Sequence, residues 1–281
     1  MHHPTRMSPA PRLVSLAVLG ALLVSSGCYQ VPVTGRAAMN MVSESEVIKL
    51  SNEAFADLKK KYPVSRNQAL HERVERVGGR IAKVAFWDVP GADWEFVVFE
   101  APTQINAFAM AGGKVGVFTG LFQIVHNDDQ LASVLAHEIA HVAAKHVNER
   151  LSQDMAIQGG GLVVGGILST TGSAALTSNT VLQAYGLSTG LTATSFDRKK
   201  EKEADHIGII YMARAGYNPE EAPRVIENLE QASAGKPAPP AMLSTHPSYP
   251  ERILQFIDLM PKALEIYRQG GQNSAAPQLV K

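Results

Sequence analysis

The sequence predicts a mainly helical α+β domain that contains one small antiparallel sheet. Apolar residues recur at helical spacing along most of the chain, and only Trp94 to Phe99 and Lys114 to Thr119 have the composition or alternation of strands. At 281 residues the chain is long enough to bury a large core. Its single cysteine excludes an internal disulfide, so the fold does not depend on the redox compartment.

The charge of the chain is balanced. Basic and acidic residues number 26 each, which gives a formal net charge of zero. Proteins that bind nucleic acid, and polybasic segments that bind membranes, carry an excess of lysine and arginine. We therefore expect no nucleic-acid partner.

Residues 1–27 are typical of an export signal. Two arginines precede the apolar run Leu13 to Val24, which is too short to span a bilayer as a structural helix. Cys28 follows small residues, as in the bacterial lipoprotein signal, where the cysteine is acylated and becomes the mature N-terminus. Tyr29, in place of aspartate, resembles the class sorted to the outer membrane. A plain secretory signal or an uncleaved anchor is the alternative.

Two helices are predicted before the sheet. Ser43 and Glu46 form a capping box at the start of the first helix, and Pro63 ends it. The second helix runs from about Asn67 to Ala85, with apolar residues on one side.

The predicted sheet has a third segment, Asn106 to Met110, which precedes a turn at Gly112 and Gly113. An edge strand beside a cleft can bind an extended peptide through main-chain hydrogen bonds. A plain hairpin that closes the core fits the pattern equally well.

His137, Glu138 and His141 lie in the uninterrupted helical stretch Leu131 to Val147. Residues four apart on a helix point to the same side, so the two histidines can share one ion. Neutral imidazoles bind zinc, and a glutamate between them can act as general base toward water at the ion. The alternative is a core helix with incidental histidines, which would bury an uncompensated carboxylate.

A hydrolytic zinc site needs a third protein ligand and an open position. Glu201 and Asp205 share one face of the predicted helix from Asp197 to Ala215, so the glutamate can bind the metal. The aspartate can then accept the free ring N–H of a ligating histidine. Glu203 is predicted to face solvent, and His146 to be a solvated or capping histidine outside the site.

Residues 155–196 contain no charged side chain and are rich in glycine. The glycines argue against a transmembrane segment. A flap over the site, a surface resting on a membrane and a pair of buried helices remain open. Ser188 lies in a G-x-S-x-G pattern, so a serine hydrolase is a remote alternative, although the strand and the ordered aspartate and histidine that it needs cannot be placed.

These motifs resemble the gluzincin zinc endopeptidases of the HtpX and CAAX prenyl protease type. The segments on which the resemblance is based are HEIAH at 137–141, EKEAD at 201–205, NAFAMAGG at 106–113 and THP with ER at 245–252. VPVTGR at 31–36 is similar to the periplasmic lipoprotein branch of that family, which includes BepA.

The resemblance implies a zincin-type metallopeptidase domain with one Zn²⁺ per chain. It implies that Asn106 and Ala107 hold the substrate backbone, and that His246 either stabilises the oxyanion or caps the resting metal. The expected activity is endopeptidase cleavage of misfolded or unassembled envelope proteins. A periplasmic chaperone or assembly factor with a structural zinc site is the alternative.

The expected location is the periplasmic face of the bacterial outer membrane, with a lipid anchor on Cys28 and the outer-membrane assembly machinery as a candidate partner. We divide the chain into a signal peptide at 1–27, a tether at 28–42, a zinc metallopeptidase domain at 43–265 and a frayed tail at 266–281.

Overall fold

The structure, a computed structural model, describes residues 28–164, 176–187, 196–235, 240–247 and 250–273. It confirms the mainly helical α+β class. The α-helices of the described residues are α1 (Glu44–Lys61), α2 (Gln68–Val84), α3 (Asp128–Ala143), α4 (His146–Val164), α5 (Ser178–Ala184), α6 (Arg198–Arg214), α7 (Glu221–Ser233), α8 (Ala241–Thr245) and α9 (Pro250–Asn273). The strands are β1 (Cys28–Gln30), β2 (Ala37–Met39), β3 (Glu95–Phe99), β4 (Ala107–Met110) and β5 (Lys114–Phe118).

The helix ends follow the capping residues in part. Asn67 caps α2 by accepting a hydrogen bond from the Leu70 N–H, and Asn127 caps α3 in the same way. The predicted capping box at Ser43 is wrong, because its hydroxyl pairs with the Ser45 hydroxyl and caps no main-chain N–H of α1. Pro261 lies inside α9 without ending it, and α9 continues past residue 265 to Asn273.

The small sheet has the order β3-β5-β4. β4 and β5 are antiparallel, as predicted, and glycines 112 and 113 between them have φ values of +84° and +88°. β3 runs parallel to β5, because the chain crosses over before β4 begins and β5 then enters the middle of the sheet. β4 is therefore an edge strand, although all four of its residues are buried.

The sheet has apolar side chains on both faces. One face, which includes Val98, Val115 and Val117, belongs to the main core with α2, α3 and α6. The other carries Phe99 and Phe108, which pack in a second cluster with α1. The sheet thus holds α3 in place from one side while α6 packs along the other.

Residues 28–39 form an N-terminal hairpin in which β1 and β2 pair antiparallel. Val31 and Ala38 are buried in the main core, and the Tyr29 hydroxyl donates to the Ala143 carbonyl at 2.8 Å. The segment that the sequence predicts as a tether therefore packs against the end of α3.

The uncharged segment is described only in part. α4 continues through glycines 159–161 and ends at Val164, and α5 packs against α1. Residues 165–175 and 188–195 lie outside the described part of the chain, so the prediction about Ser188 does too. Among the described residues we find no helix whose length and hydropathy would allow it to cross a membrane.

Candidate active site

Four buried residues converge on one point. His137, His141, Glu201 and His246 each offer one ligand atom, and these atoms lie within 4.8 Å of one another. The Nε2 atoms of His137 and His141 are 3.1 Å apart. Glu201 brings Oε1 to 3.4 Å from His141 Nε2 and Oε2 to 3.5 Å from His137 Nε2. The three predicted metal ligands therefore meet.

The crossing of α3 and α6 brings Glu201 to the histidines. Gly208 lies against the α3 backbone, where an added Cβ would be 3.1 Å from the His137 nitrogen. Only glycine permits so close an approach without a shift of one helix. Glu201 lies about two turns before Gly208 on α6, so its carboxylate reaches across the crossing to both imidazoles.

The residues fit a divalent cation. Two imidazole nitrogens and a carboxylate oxygen are a zinc donor set, and they leave one coordination position for water or substrate. Glu201 Oε2 and Glu138 Oε1 are buried and accept no hydrogen bond from the described residues. Arg252 Nη1 lies 3.3 Å from Glu201 Oε2 and His246 Nε2 lies 3.4 Å from Glu138 Oε1. Buried carboxylate oxygens that accept no hydrogen bond are nevertheless costly, and a cation among them would offset that cost.

The pKa directions agree with such a site. Burial favours a raised pKa for Glu201, but His246, His137 and His141 outweigh it and hold the pKa well below the usual value. Burial favours a lowered pKa for His137, yet its contacts with Asp205 and Glu201 raise the pKa to about 10. Without a metal, the cluster therefore stabilises a positive charge at the point where a cation would sit.

Glu138, the predicted base, lies beside the cluster. It is 3% exposed, and its Oε1 lies 3.4 Å from His246 Nε2. Burial raises the pKa of this carboxyl despite the opposing influence of His246 and His137. A raised pKa increases the basicity of the carboxylate, which suits proton transfer near neutral pH.

Asp205 lies next to His137. Its Oδ1 is 2.9 Å from His137 Nδ1, an ion-pair distance without the alignment of a hydrogen bond, and His137 Nε2 faces the cluster. Arg252 from α9 donates two bonds of 2.7 Å to this carboxylate. The sequence analysis did not identify this role of Arg252. The one indication in the sequence is that Arg252 lies just after the His246-Pro247 motif.

Two predictions about polar side chains are wrong. Glu203 is buried and bonded to Arg36, Thr34 and His146, because the N-terminal hairpin covers this part of α6. His146 is fully buried rather than solvated, because α3 ends at Ala143 and Lys145 takes φ +53°. As predicted, His146 is not among the four converging residues.

His246 reaches the cluster from α8. Its main-chain N–H donates to Met242 at 2.7 Å, and the Met242 N–H donates to Ile105, next to the edge strand. Its Nδ1 lies 3.0 Å from Glu201 Oε1 and 3.3 Å from His137 Nε2. The ring therefore faces His137, Glu201 and Glu138.

Asn106 and Ala107 lie at the start of the edge strand. The Asn106 carbonyl accepts from Phe118, and its side-chain oxygen accepts from the Ala107 N–H at 3.0 Å. A groove of about 240 Å³ runs beside Asn106 and is bordered by Tyr62 and Thr245. The groove therefore connects the edge strand with the residue that precedes His246.

Comparison with known proteins agrees with this geometry. Residues 65–258 match peptidase family M48. The chain is 31% identical over 255 residues to the mitochondrial metalloendopeptidase OMA1 of Schizosaccharomyces pombe, covering 88% of this chain and 72% of the relative. It is 28% identical over 229 residues to the beta-barrel assembly-enhancing protease of Escherichia coli, covering 79% of this chain but 45% of that protein. The chain belongs to peptidase family M48 and is a metallopeptidase.

Proposed function

We propose that the protein is a zinc endopeptidase that cleaves misfolded or unassembled proteins of the cell envelope. The convergence of His137, His141 and Glu201 around one point, with Glu138 beside it, carries this proposal. Two imidazoles, one carboxylate and an adjacent base are the minimum set for hydrolysis of a peptide bond by activated water.

Zinc held by His137, His141 and Glu201 would polarise the peptide carbonyl and favour the ionisation of water. Glu138 takes the proton from the attacking water and later delivers it to the leaving amine, which its buried position and raised pKa favour. Asp205 keeps the Nδ1 proton on His137 and so directs the Nε2 lone pair to the cluster.

The substrate is proposed to lie as an added strand along β4. The backbone of Asn106 is paired with β5, so the outward-facing main-chain groups of β4 belong to the alternate residues Ala107 and Ala109. The Ala107 N–H is already bonded to Asn106 Oδ1, so the Ala107 and Ala109 carbonyls and the Ala109 N–H are the groups proposed to pair with a peptide. Main-chain recognition of this kind suits unfolded proteins, because it demands little of the side chains.

The location is proposed to be the periplasmic face of the outer membrane, with an acyl chain on Cys28. The export-type sequence of residues 1–27 and the exposure of Cys28 support it. The names of the relatives refer to beta-barrel assembly and to mitochondria; the export signal favours the former setting, with the assembly machinery as a partner. Residues 43–265 are proposed as the peptidase domain.

Glu138→Gln tests the proposal. The variant should bind one zinc per chain and keep the wild-type melting temperature, while cleavage of an unfolded casein falls by at least about 100-fold. Cleavage at the wild-type rate would sink the mechanism.

A periplasmic chaperone with a structural zinc site would behave differently. Fully zinc-loaded wild type would then suppress aggregation of the casein without cutting it, and Glu138→Gln would be indistinguishable from it. Cleavage blocked by a serine-directed inhibitor but not by a chelator would point instead to Ser188.

A further inference from the structure

His141 is supported, on the side away from the cluster, by a buried chain of polar groups. Its Nδ1 lies 2.8 Å from His146 Nδ1. The other ring nitrogen of His146, Nε2, lies 3.0 Å from Glu203 Oε2. His146 is fully buried and Glu203 is 8% exposed, so bulk water does not reach these contacts freely.

This series of polar contacts ends on the N-terminal hairpin. Arg36 donates from Nε to Glu203 Oε2 at 2.8 Å, and the Thr34 hydroxyl donates to Oε1 at 2.6 Å. The other two guanidinium nitrogens of Arg36 each lie 2.9 Å from the carboxylate of Glu149 on α4. One arginine therefore ties the hairpin to α4 and α6.

The donor and the acceptor of each hydrogen bond in this series of contacts can be assigned. Glu203 lies against the Arg36 guanidinium at 2.8 Å and the Thr34 hydroxyl at 2.6 Å, the surroundings of an ionised carboxylate. A carboxylate can only accept, so His146 must carry its proton on Nε2. A neutral imidazole with its proton on Nε2 has its lone pair on Nδ1, the atom that faces His141 at 2.8 Å.

The same logic reaches His141. Since His146 Nδ1 accepts, His141 Nδ1 must donate, and the lone pair of His141 is left on Nε2. That atom is the one that faces His137 and Glu201. The other neutral tautomer of His141 would place two lone pairs against each other at 2.8 Å.

We propose that Thr34, Arg36, Glu203 and His146 are positioning residues that set the tautomer and orientation of His141. The N-terminal hairpin is thereby a working part of the metal site, although it lies outside the segment that matches the family. The inference rests on the proposed metal site. It is independent of the support of His137, which comes from Asp205 and Arg252 at the other end of the cluster.

Substitutions of Glu203, Arg36 and Thr34, with matched controls, test the proposal. Glu203→Gln and Arg36→Met should weaken zinc binding by about 10- to 100-fold, measured by competition with a chromophoric chelator. They should also shift the absorption bands of the cobalt-substituted protein, and Arg36→Lys should restore part of the affinity. Thr34→Val is the mildest variant and should weaken binding least.

Two controls separate positioning from general loss of stability. Tyr29→Phe removes the hydrogen bond from the hairpin to Ala143. Arg73→Met breaks a half-buried ion pair with Asp128, which takes no part in the contacts that support His141. Both should bind zinc within twofold of wild type. A folded Glu203→Gln protein with the wild-type affinity and cobalt spectrum would overturn the proposal, whereas a wild type that binds no zinc would overturn the proposed function instead.

The tautomers can be read in wild-type protein, so the test does not depend on any variant folding. Nitrogen-15 NMR of the metal-free protein should show His146 protonated on Nε2 and His141 on Nδ1. The opposite tautomer at either histidine would contradict the proposal.

Discussion

Arg252 donates two parallel hydrogen bonds of 2.7 Å to Asp205, and both side chains are almost fully buried. The pair lies directly behind His137, so an arginine from the last helix keeps a charged carboxylate in contact with a proposed metal ligand. A bidentate pair of this geometry depends on the planar guanidinium.

Arg252→Met should therefore destabilise the protein by about 3–5 kcal/mol, because it leaves Asp205 buried without its counter-charge. Arg252→Lys should recover little, since lysine cannot make both bonds. Denaturant unfolding measures the loss. Lys262→Met, which breaks an exposed pair with Glu265, is the control and should change stability by less than about 1 kcal/mol. Equal effects of the two methionine variants would contradict this account.

Gly208→Val should lower stability by about 1–3 kcal/mol and weaken zinc binding, because the side chain would push α6 away from α3 and carry Glu201 with it. Gly208→Ala should cost less, since the gain in helix propensity, about 1 kcal/mol, offsets part of the crowding. Gly79 on α2 has open space where a Cβ would be, so Gly79→Ala should stabilise the protein. Zinc titration and thermal melting measure all three variants.

Removal of the metal by a chelator should abolish cleavage but leave the far-ultraviolet circular dichroism unchanged. The helices that carry the ligands are packed through apolar residues such as Leu131, Ile139 and Ile207, so the fold does not need the ion. Zinc at about a thousandfold excess over its Kd should add about 4 kcal/mol to the free energy of unfolding. Unfolding on chelation would instead indicate a structural zinc site.

His246→Ala should increase the rate of casein cleavage severalfold. The Nδ1 atom of His246 lies 3.3 Å from His137 Nε2 and 3.0 Å from Glu201, so the ring would compete with water for the open position of the proposed metal site. Steady-state rates of the zinc-loaded variant measure the effect. A fall of 100-fold or more would assign His246 to the oxyanion instead.

The centre of the site could be predicted because its geometry is local. His137 and His141 are one turn apart, and Glu201 and Asp205 are one turn apart, so helical periodicity alone places each pair on one face. The convergence of the two pairs needed only that one helix pack on the other. The place of His246 in the site could be predicted only from the resemblance to a family, because a histidine in a loop belongs to no periodic pattern.

The support of His141 could not be predicted, because it depends on a break in the chain and on distant contacts. On a continuous helix His146 would lie about 140° round the axis from His141. The left-handed residue Lys145 redirects the chain and turns that ring back under His141. Arg36 meets Glu203 across 167 positions of sequence, and no local pattern on α6 shows that a hairpin covers it.

The ion pair between Arg36 and Glu203 also has an evolutionary consequence. If the two side chains and His146 act as one unit, then related chains should keep or lose all three together, and an insertion between His141 and His146 should be found only where the arginine is also gone. Correlated substitution at these three positions, far apart along the chain, would be the trace of that shared constraint.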